Sequence, residues 1–157
     1  MQTTCDVIIG SDHRGFELKQ KVKEFLREKK LFFIDVGVDS SATPLDSEVI
    51  PPIIRVVKEA SECVASAGHF CGILICGNGI GMSIAANRFK GIRAALCHTA
   101  DDAKQARQHN DANVLCLGGD NFDLDNVKKI INAFLNTKFE DTVTRYKKRV
   151  EQFDKIS

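Results

Sequence analysis

The sequence predicts an α/β fold: a three-layer α/β/α sandwich on a five-stranded, parallel, Rossmann-like sheet, with an additional C-terminal helix. Three observations lead there. Five short, apolar runs rich in β-branched residues recur along the chain, segments with near-helical hydrophobic spacing separate them, and Gly77, Gly79 and Gly81 follow the third run at alternate positions. Parallel strands need crossover connections, and right-handed crossovers place helices on both faces of the sheet.

The first strand is Cys5 to Gly10. Phe16, Leu18, Val22, Phe25 and Leu26 then fall at helical spacing, which predicts a helix from Phe16 to Lys29. Leu31 to Val36 reads as the second strand, and Gly37 to Leu45 carries turn chemistry. Pro51 and Pro52 open a helix towards Ser66, because proline suits a first helical turn. The third strand is Gly72 to Ile75, and a helix from Ile80 to Arg88 follows the glycines. Ile92 to Leu96 and Val114 to Leu117 are the last two strands, separated by a charged helix over Asp101 to Gln108. Leu124 to Leu135 and Val143 to Phe153 close the chain as amphipathic helices.

Composition bounds what such a fold does. The 157 residues, 43% hydrophobic, suit one domain over 1–157 with a real core, and no Pro/Gly/Ser-rich stretch divides it. Lys+Arg 22 against Asp+Glu 21 gives a formal charge of +1, which argues against affinity for nucleic acid or a membrane surface. No apolar run reaches the ~20 residues that span a bilayer, and the first residues lack the charged-then-apolar order of a secretory signal, so a cytoplasmic location is expected. None of the six cysteines forms a C-x-x-C pair, and free thiols in a reducing compartment are the expectation.

In open parallel α/β folds, ligands sit outside the carboxyl ends of the strands. That rim collects Ser11-Asp12-His13-Arg14, the Cys76 loop, His98-Thr99 and Gly118-Gly119-Asp120. A strand, a glycine loop and a helix in that order aim several backbone N–H groups at one place and favour an anion there. Cys76 stands at its mouth. A cysteine ending a strand is more often a small buried hydrophobe than a catalyst, and His109-Asn110-Asp111 precedes the fifth strand, so it lies at the opposite end unless a second subunit uses it.

The blocks S-D-H-R-G-F-E-L-K at 11–19, C-G-N-G-I-G-M-S-I-A-A-N-R at 76–88, G-I-R-A-A-L at 91–96 and R-Q-H-N-D-A-N-V-L at 107–115 resemble ribose-5-phosphate isomerase B, of the sugar-phosphate isomerase family that also includes galactose and allose phosphate isomerases. The resemblance implies interconversion of ribose 5-phosphate and ribulose 5-phosphate, a pentose phosphate pathway step, through an enediolate. It implies no metal, no cofactor, and a homodimer with sites at the subunit interface. By the same resemblance Cys76 is the base that carries the proton between carbons, and His109 opens the sugar ring. The backbone of Gly77, Asn78, Gly79, Ile80 and Gly81 holds the developing oxyanion, and Asp12 and Asn110 take sugar hydroxyls. His13, Arg145 and Arg149 anchor the phosphate, with His13 also in contact with the sugar. On spacing alone, Arg145 and Arg149 with Lys147 and Lys148 describe a solvated helix face equally well.

The chain also departs from the family pattern. Asn78 stands where many members have threonine, and Ile80 stands where a relative with that asparagine has a glutamate base. V-I-P-P at 49–52, preceded by Asp46, replaces an aspartate-tyrosine-proline run, and Asp120 replaces a phosphate arginine whose charge Arg14 is placed to restore. These changes keep open a hexose or tetrose phosphate as substrate, and a noncatalytic phosphosugar-binding protein as the other class. His69 and His98 read as solvated loop residues, and Arg93, within a strand, as structural.

Overall fold

Parallel pairing runs through every strand of the sheet, in the order β2-β1-β3-β5-β4. The computed structural model describes residues 6–39, 52–67 and 70–156. The strands are β1 (Asp6–Ser11), β2 (Phe33–Asp35), β3 (Phe70–Cys76), β4 (Ala94–Leu96) and β5 (Val114–Gly118). The helices are α1 (Phe16–Glu28), α2 (Pro52–Ala67), α3 (Ile80–Ala86), α4 (Ala100–Asn110), α5 (Leu124–Asn136) and α6 (Thr144–Phe153). Every expected strand and helix is present. Cys5, Pro51, Asp46, His69 and the turn segment from residue 40 onward lie outside the described residues.

Strand alternation builds the layers. Val7 and Ile9, Ile73 and Ile75, and Leu115 and Leu117 point to one face, where Leu18, Leu26, Ala103, Ile131 and Phe134 cover them from α1, α4 and α5. Ile8, Leu74, Cys76, Val114 and Cys116 point to the other, against Val56, Val57 and Ala60 of α2 and Met82 and Ala86 of α3. Burying side chains on both faces is why these strands read as continuous apolar runs.

Several elements are shorter than their sequence pattern, among them β2, which keeps only Phe33–Asp35 of the expected Leu31 to Val36. α3 stops at Ala86 because Asn87 turns its side chain to the backbone, donating to Ser83 O and Ala94 O and accepting from Ala94 N–H. β4 loses Ile92 and Arg93, since the Arg93 N–H is taken by the Asn113 side chain at 2.8 Å. The free-thiol expectation holds for Cys63, Cys76, Cys97 and Cys116, whereas Cys71 is disulfide-bonded.

β1 connects outward to β2 while β3 lies on its other side, so the sheet's switch point falls between β1 and β3. Their carboxyl ends meet directly: Ser11 is in register with Ile75, and the Asp12 N–H donates to Ile75 O at 3.2 Å. This crevice is where such folds place ligands.

Candidate active site

Cys76 is the last residue of β3 and is 5% exposed. The chain then doubles back through Gly77, Asn78 and Gly79, and the Gly79 N–H points at the Cys76 sulfur, with N to Sγ 3.2 Å. Gly79 adopts φ 78°, and a Cβ there would sit 2.5 Å from Leu96 Cδ1, so both conformation and space require glycine.

The cradle is narrower than the sequence suggests. All five residues from Gly77 to Gly81 are expected to present N–H groups to a ligand, but the Gly79 N–H serves the sulfur and the Ile80 N–H donates to Asn78 Oδ1 at 3.1 Å. Asparagine at position 78 therefore closes an Asx-type turn on the first residue of α3. The expected amides that remain are those of Gly77, Asn78 and Gly81.

Asp12 and His13 follow β1 at the same crevice. One Asp12 oxygen accepts the Gly15 N–H at 2.9 Å, which ties the entry of α1 and leaves the carboxylate's other oxygen for a ligand. His13 is half-buried, and its Nδ1 is buried without a hydrogen-bond partner among the described residues. Such an orphaned nitrogen costs free energy until something pairs with it.

Arg14 is paired within the chain. Its guanidinium forms an ion pair with Asp120 and lies flat against Gly77, where an added Cβ would fall 2.4 Å from Cζ. The Asp120 N–H also donates to Gly77 O at 2.9 Å, and the Gly119 N–H to Cys76 O at 2.7 Å. Arg14 and Asp120 thus brace the glycine loop, with the guanidinium paired to a carboxylate of the same chain.

The other thiols nearby are held protonated. Burial, with the charge of Asp102 second, pushes Cys97 up to about 12, and burial raises Cys116 well above the ordinary thiol range. Asp102 sits below the usual carboxylate range because the His98 N–H, the Thr99 side chain and the Thr99 N–H all stabilise its charge; the Thr99 N–H donates to the carboxylate while the Thr99 hydroxyl accepts from the Asp102 N–H, which is the capping box of α4. His98 is exposed, as expected of a loop residue.

The remaining expected residues gather elsewhere. α4 runs back down the sheet and ends at Asn110, four residues before β5 begins in register with Gly72, whereas Cys76 is in register with Gly118. Within one chain, His109 and Asn110 are therefore separated from Cys76 by the length of β5, roughly 15 Å at strand rise. There His109 stacks on Tyr146, ring centroids 4.5 Å apart, and Arg145 and Arg149 flank the same phenol ring. A cavity of about 830 Å³ opens beside Asn110, lined also by Phe89, Ile92 and Phe153; Cys76 does not line it.

Arg93, read from the sequence as structural, fixes this second group together with Asp111 and Arg107, to which the sequence reading gave no part. Asp111, in the left-handed region at φ 47°, is gripped by Arg93 at 2.8 Å and by Arg107 at 3.3 Å, and Arg107 also donates to Ala112 O. Arg93 was the available signal, because a guanidinium expected within a buried strand needs a partner. Its partner proves to be the residue next to Asn110.

The ribose/galactose isomerase family model matches residues 7–153. The chain is 38% identical over 150 residues to ribose-5-phosphate isomerase B of Escherichia coli, covering 96% of this chain and 95% of that protein. It is 36% identical to D-erythrulose-4-phosphate isomerase of Pectobacterium atrosepticum over 85% of this chain and 84% of that one. The crystal structure of a ribose 5-phosphate isomerase from Thermotoga maritima superposes with a TM-score of 0.87 at 39% identity, covering 97% of this chain and 99% of that one.

Proposed function

The chain belongs to the ribose/galactose isomerase family, and from that premise we propose that it interconverts ribose 5-phosphate and ribulose 5-phosphate through an enediolate, with Cys76 as the base. One observation carries the reading: the Cys76 sulfur stands at the β1/β3 crevice with the Gly79 N–H donated to it at 3.2 Å, beside Asp12 and His13.

The chemistry follows from the residues. The Cys76 thiolate removes the proton from the carbon next to the carbonyl and returns it to the neighbouring carbon, leaving the double bond between them in the enediolate. The Gly77, Asn78 and Gly81 amides face the oxygen on which charge develops; a donor of this kind is worth about 2.7–4 kcal/mol in other enzymes. Asp12 accepts a sugar hydroxyl, and His13 meets the sugar and its phosphate. His109 moves the proton that opens the ring, Asn110 holds a hydroxyl, and Arg145 and Arg149 take the phosphate.

Those last four groups come, in this proposal, from a second copy of the chain. The separation of His109 from Cys76 within one chain supports a homodimer whose site is shared between copies. So do Ile80 and Ile84, one turn apart on α3 beside the cradle and 48% and 57% exposed, an apolar stripe suited to cover by a neighbour.

The substrate is tested by assaying purified protein against ribose, allose, galactose and erythrulose phosphates. Preferred turnover of the pentose supports the proposal, and preference for the tetrose favours the second reading, for which the likeness to the Pectobacterium enzyme speaks. A Cys76→Ala variant should bind phosphosugar yet neither turn it over nor exchange its carbon-bound proton with deuterated water. Binding without exchange by the unaltered protein would make it a noncatalytic binder.

A further inference from the structure

We infer that Tyr146 is a positioning residue of this site, an aromatic shelf that orders His109, Arg145 and Arg149 together; the inference rests on the isomerase reading given above. Tyr146 is 8% exposed although it sits on a helix whose neighbours at 145, 147 and 148 are exposed. Its ring meets the His109 ring at a centroid distance of 4.5 Å and a tilt of 31°. The guanidinium carbons of Arg145 and Arg149 lie 4.9 and 5.7 Å from its centroid, and Arg145 Nη2 donates to the phenol oxygen at 3.0 Å.

The choice of a phenol has a consequence that a carboxylate would not. Two guanidinium groups four residues apart repel each other, and a protein that needs them close must hold them. Among the described residues no carboxylate lies within ion-pair distance of Arg145 or Arg149; Glu140 acts on Arg145 only at longer range, behind the contact with Tyr146. The electron-rich face of Tyr146 attracts both cations, and its hydroxyl accepts from one of them, without cancelling their charge. The pair stays ordered and its charge stays available to a dianion. The same ring sets the plane of the imidazole, so one side chain couples the phosphate anchor to the ring-opening group.

Two variants separate these functions. Tyr146→Phe keeps the shelf and loses the hydroxyl; Tyr146→Leu loses both. Each is measured beside the unaltered protein for inorganic phosphate affinity by calorimetry and for kcat and KM with ribose 5-phosphate, at a temperature where circular dichroism finds all three equally folded. Tyr146→Phe is expected to weaken phosphate binding about threefold, the loss of one hydrogen bond to an exposed cation, with kcat nearly unchanged. Tyr146→Leu is expected to weaken phosphate about tenfold or more and to lower kcat as well, as both cation–π contacts and the stacked imidazole are released. Unaltered phosphate affinity and kcat in Tyr146→Leu, with only a lower melting temperature, would reduce the residue to packing and overturn the inference. If Tyr146→Leu does not fold, Tyr146→Phe decides: phosphate affinity equal to that of the unaltered protein rejects it. Absence of turnover in the unaltered protein would instead count against the isomerase reading, and the phosphate titrations still decide the part played by Tyr146.

Discussion

The Arg93 guanidinium meets the Asp111 carboxylate at 2.8 Å and also donates to the Asp111 carbonyl at 2.8 Å, so one side chain fastens both ends of the residue that follows Asn110. Arg93 reaches Asp154 as well, at 3.1 Å, and so links the segment leading into β4, the end of α4 and the end of α6. Arg93→Met should cost about 1–3 kcal/mol in urea unfolding, less than a fully buried unpaired charge because Asp111 keeps Arg107 and some solvent. Arg93→Lys should not restore it, since an ammonium cannot fill two acceptors with a planar fork. Equal stability of all three proteins would show that the clamp carries no weight.

Arg14 illustrates a charge whose availability sequence cannot reveal. Held by Asp120 against Gly77, it is already neutralised, so Arg14→Ala should change inorganic phosphate affinity by no more than about twofold, the scale of an exposed pair. It should lower kcat instead, by loosening the loop that carries Cys76. A large loss of phosphate affinity with kcat intact would return Arg14 to the set of phosphate anchors.

The thiols should separate by reactivity. With Cys97 pushed up to about 12 and Cys116 raised further, both stay protonated near pH 8, and the protonated form is the poor nucleophile. Iodoacetamide on the native protein should spare both and label the partly exposed Cys63. Loss of turnover should follow labelling of Cys76 and slow when sugar phosphate is present. Peptide mapping that finds Cys97 modified before Cys76 would contradict this ordering.

The architecture was legible because local pattern and tertiary demand agree. β-branched runs became strands, α1 and α5 kept their expected faces, and the turn at Gly77 to Gly79 falls where three alternating glycines predict it. What escaped depends on distances between segments far apart in the chain. Nothing local to Asn78 says that its side chain will take the Ile80 N–H, and nothing near Tyr146 says that it will meet His109, 37 positions earlier. Arg14 and Asp120 are 106 positions apart. The wrong-end placement of His109 was readable, since chain order alone puts it before β5; which residues clamp it there was not.

Acid should expose a second cluster. Lys19 is fully buried and pairs with Asp35 at 2.9 Å, and Lys23 reaches the other oxygen at 2.6 Å. Burial pushes the Asp35 carboxyl up, but the hydrogen bonds from Lys23, Lys19 and the Gly37 N–H, with the Lys19 charge, outweigh it and leave it below the ordinary value. A carboxyl depressed in the folded state adds stability above its unfolded pKa of about 3.9, and that stability is lost as pH falls through the folded value. The gap in urea midpoint between the unaltered protein and Asp35→Asn should therefore be constant above about pH 5 and shrink below about pH 4. A gap that stays constant down to pH 2.5 would mean that Asp35 titrates alike in both states.

The proposed sharing of the site between copies makes the most specific prediction. Cys76→Ala and His109→Ala should each be inactive alone. Unfolded together in equal amounts and refolded, they form mixed dimers in about half the molecules, and each mixed dimer has one site with both substitutions and one with neither. About a quarter of the original sites, and so about a quarter of the original turnover, should return. If Cys76 and His109 served one site within a single chain, every site in every mixture would carry one substitution and nothing would return. Recovery of activity on mixing therefore separates a composite site from two independent ones without any structure of the complex.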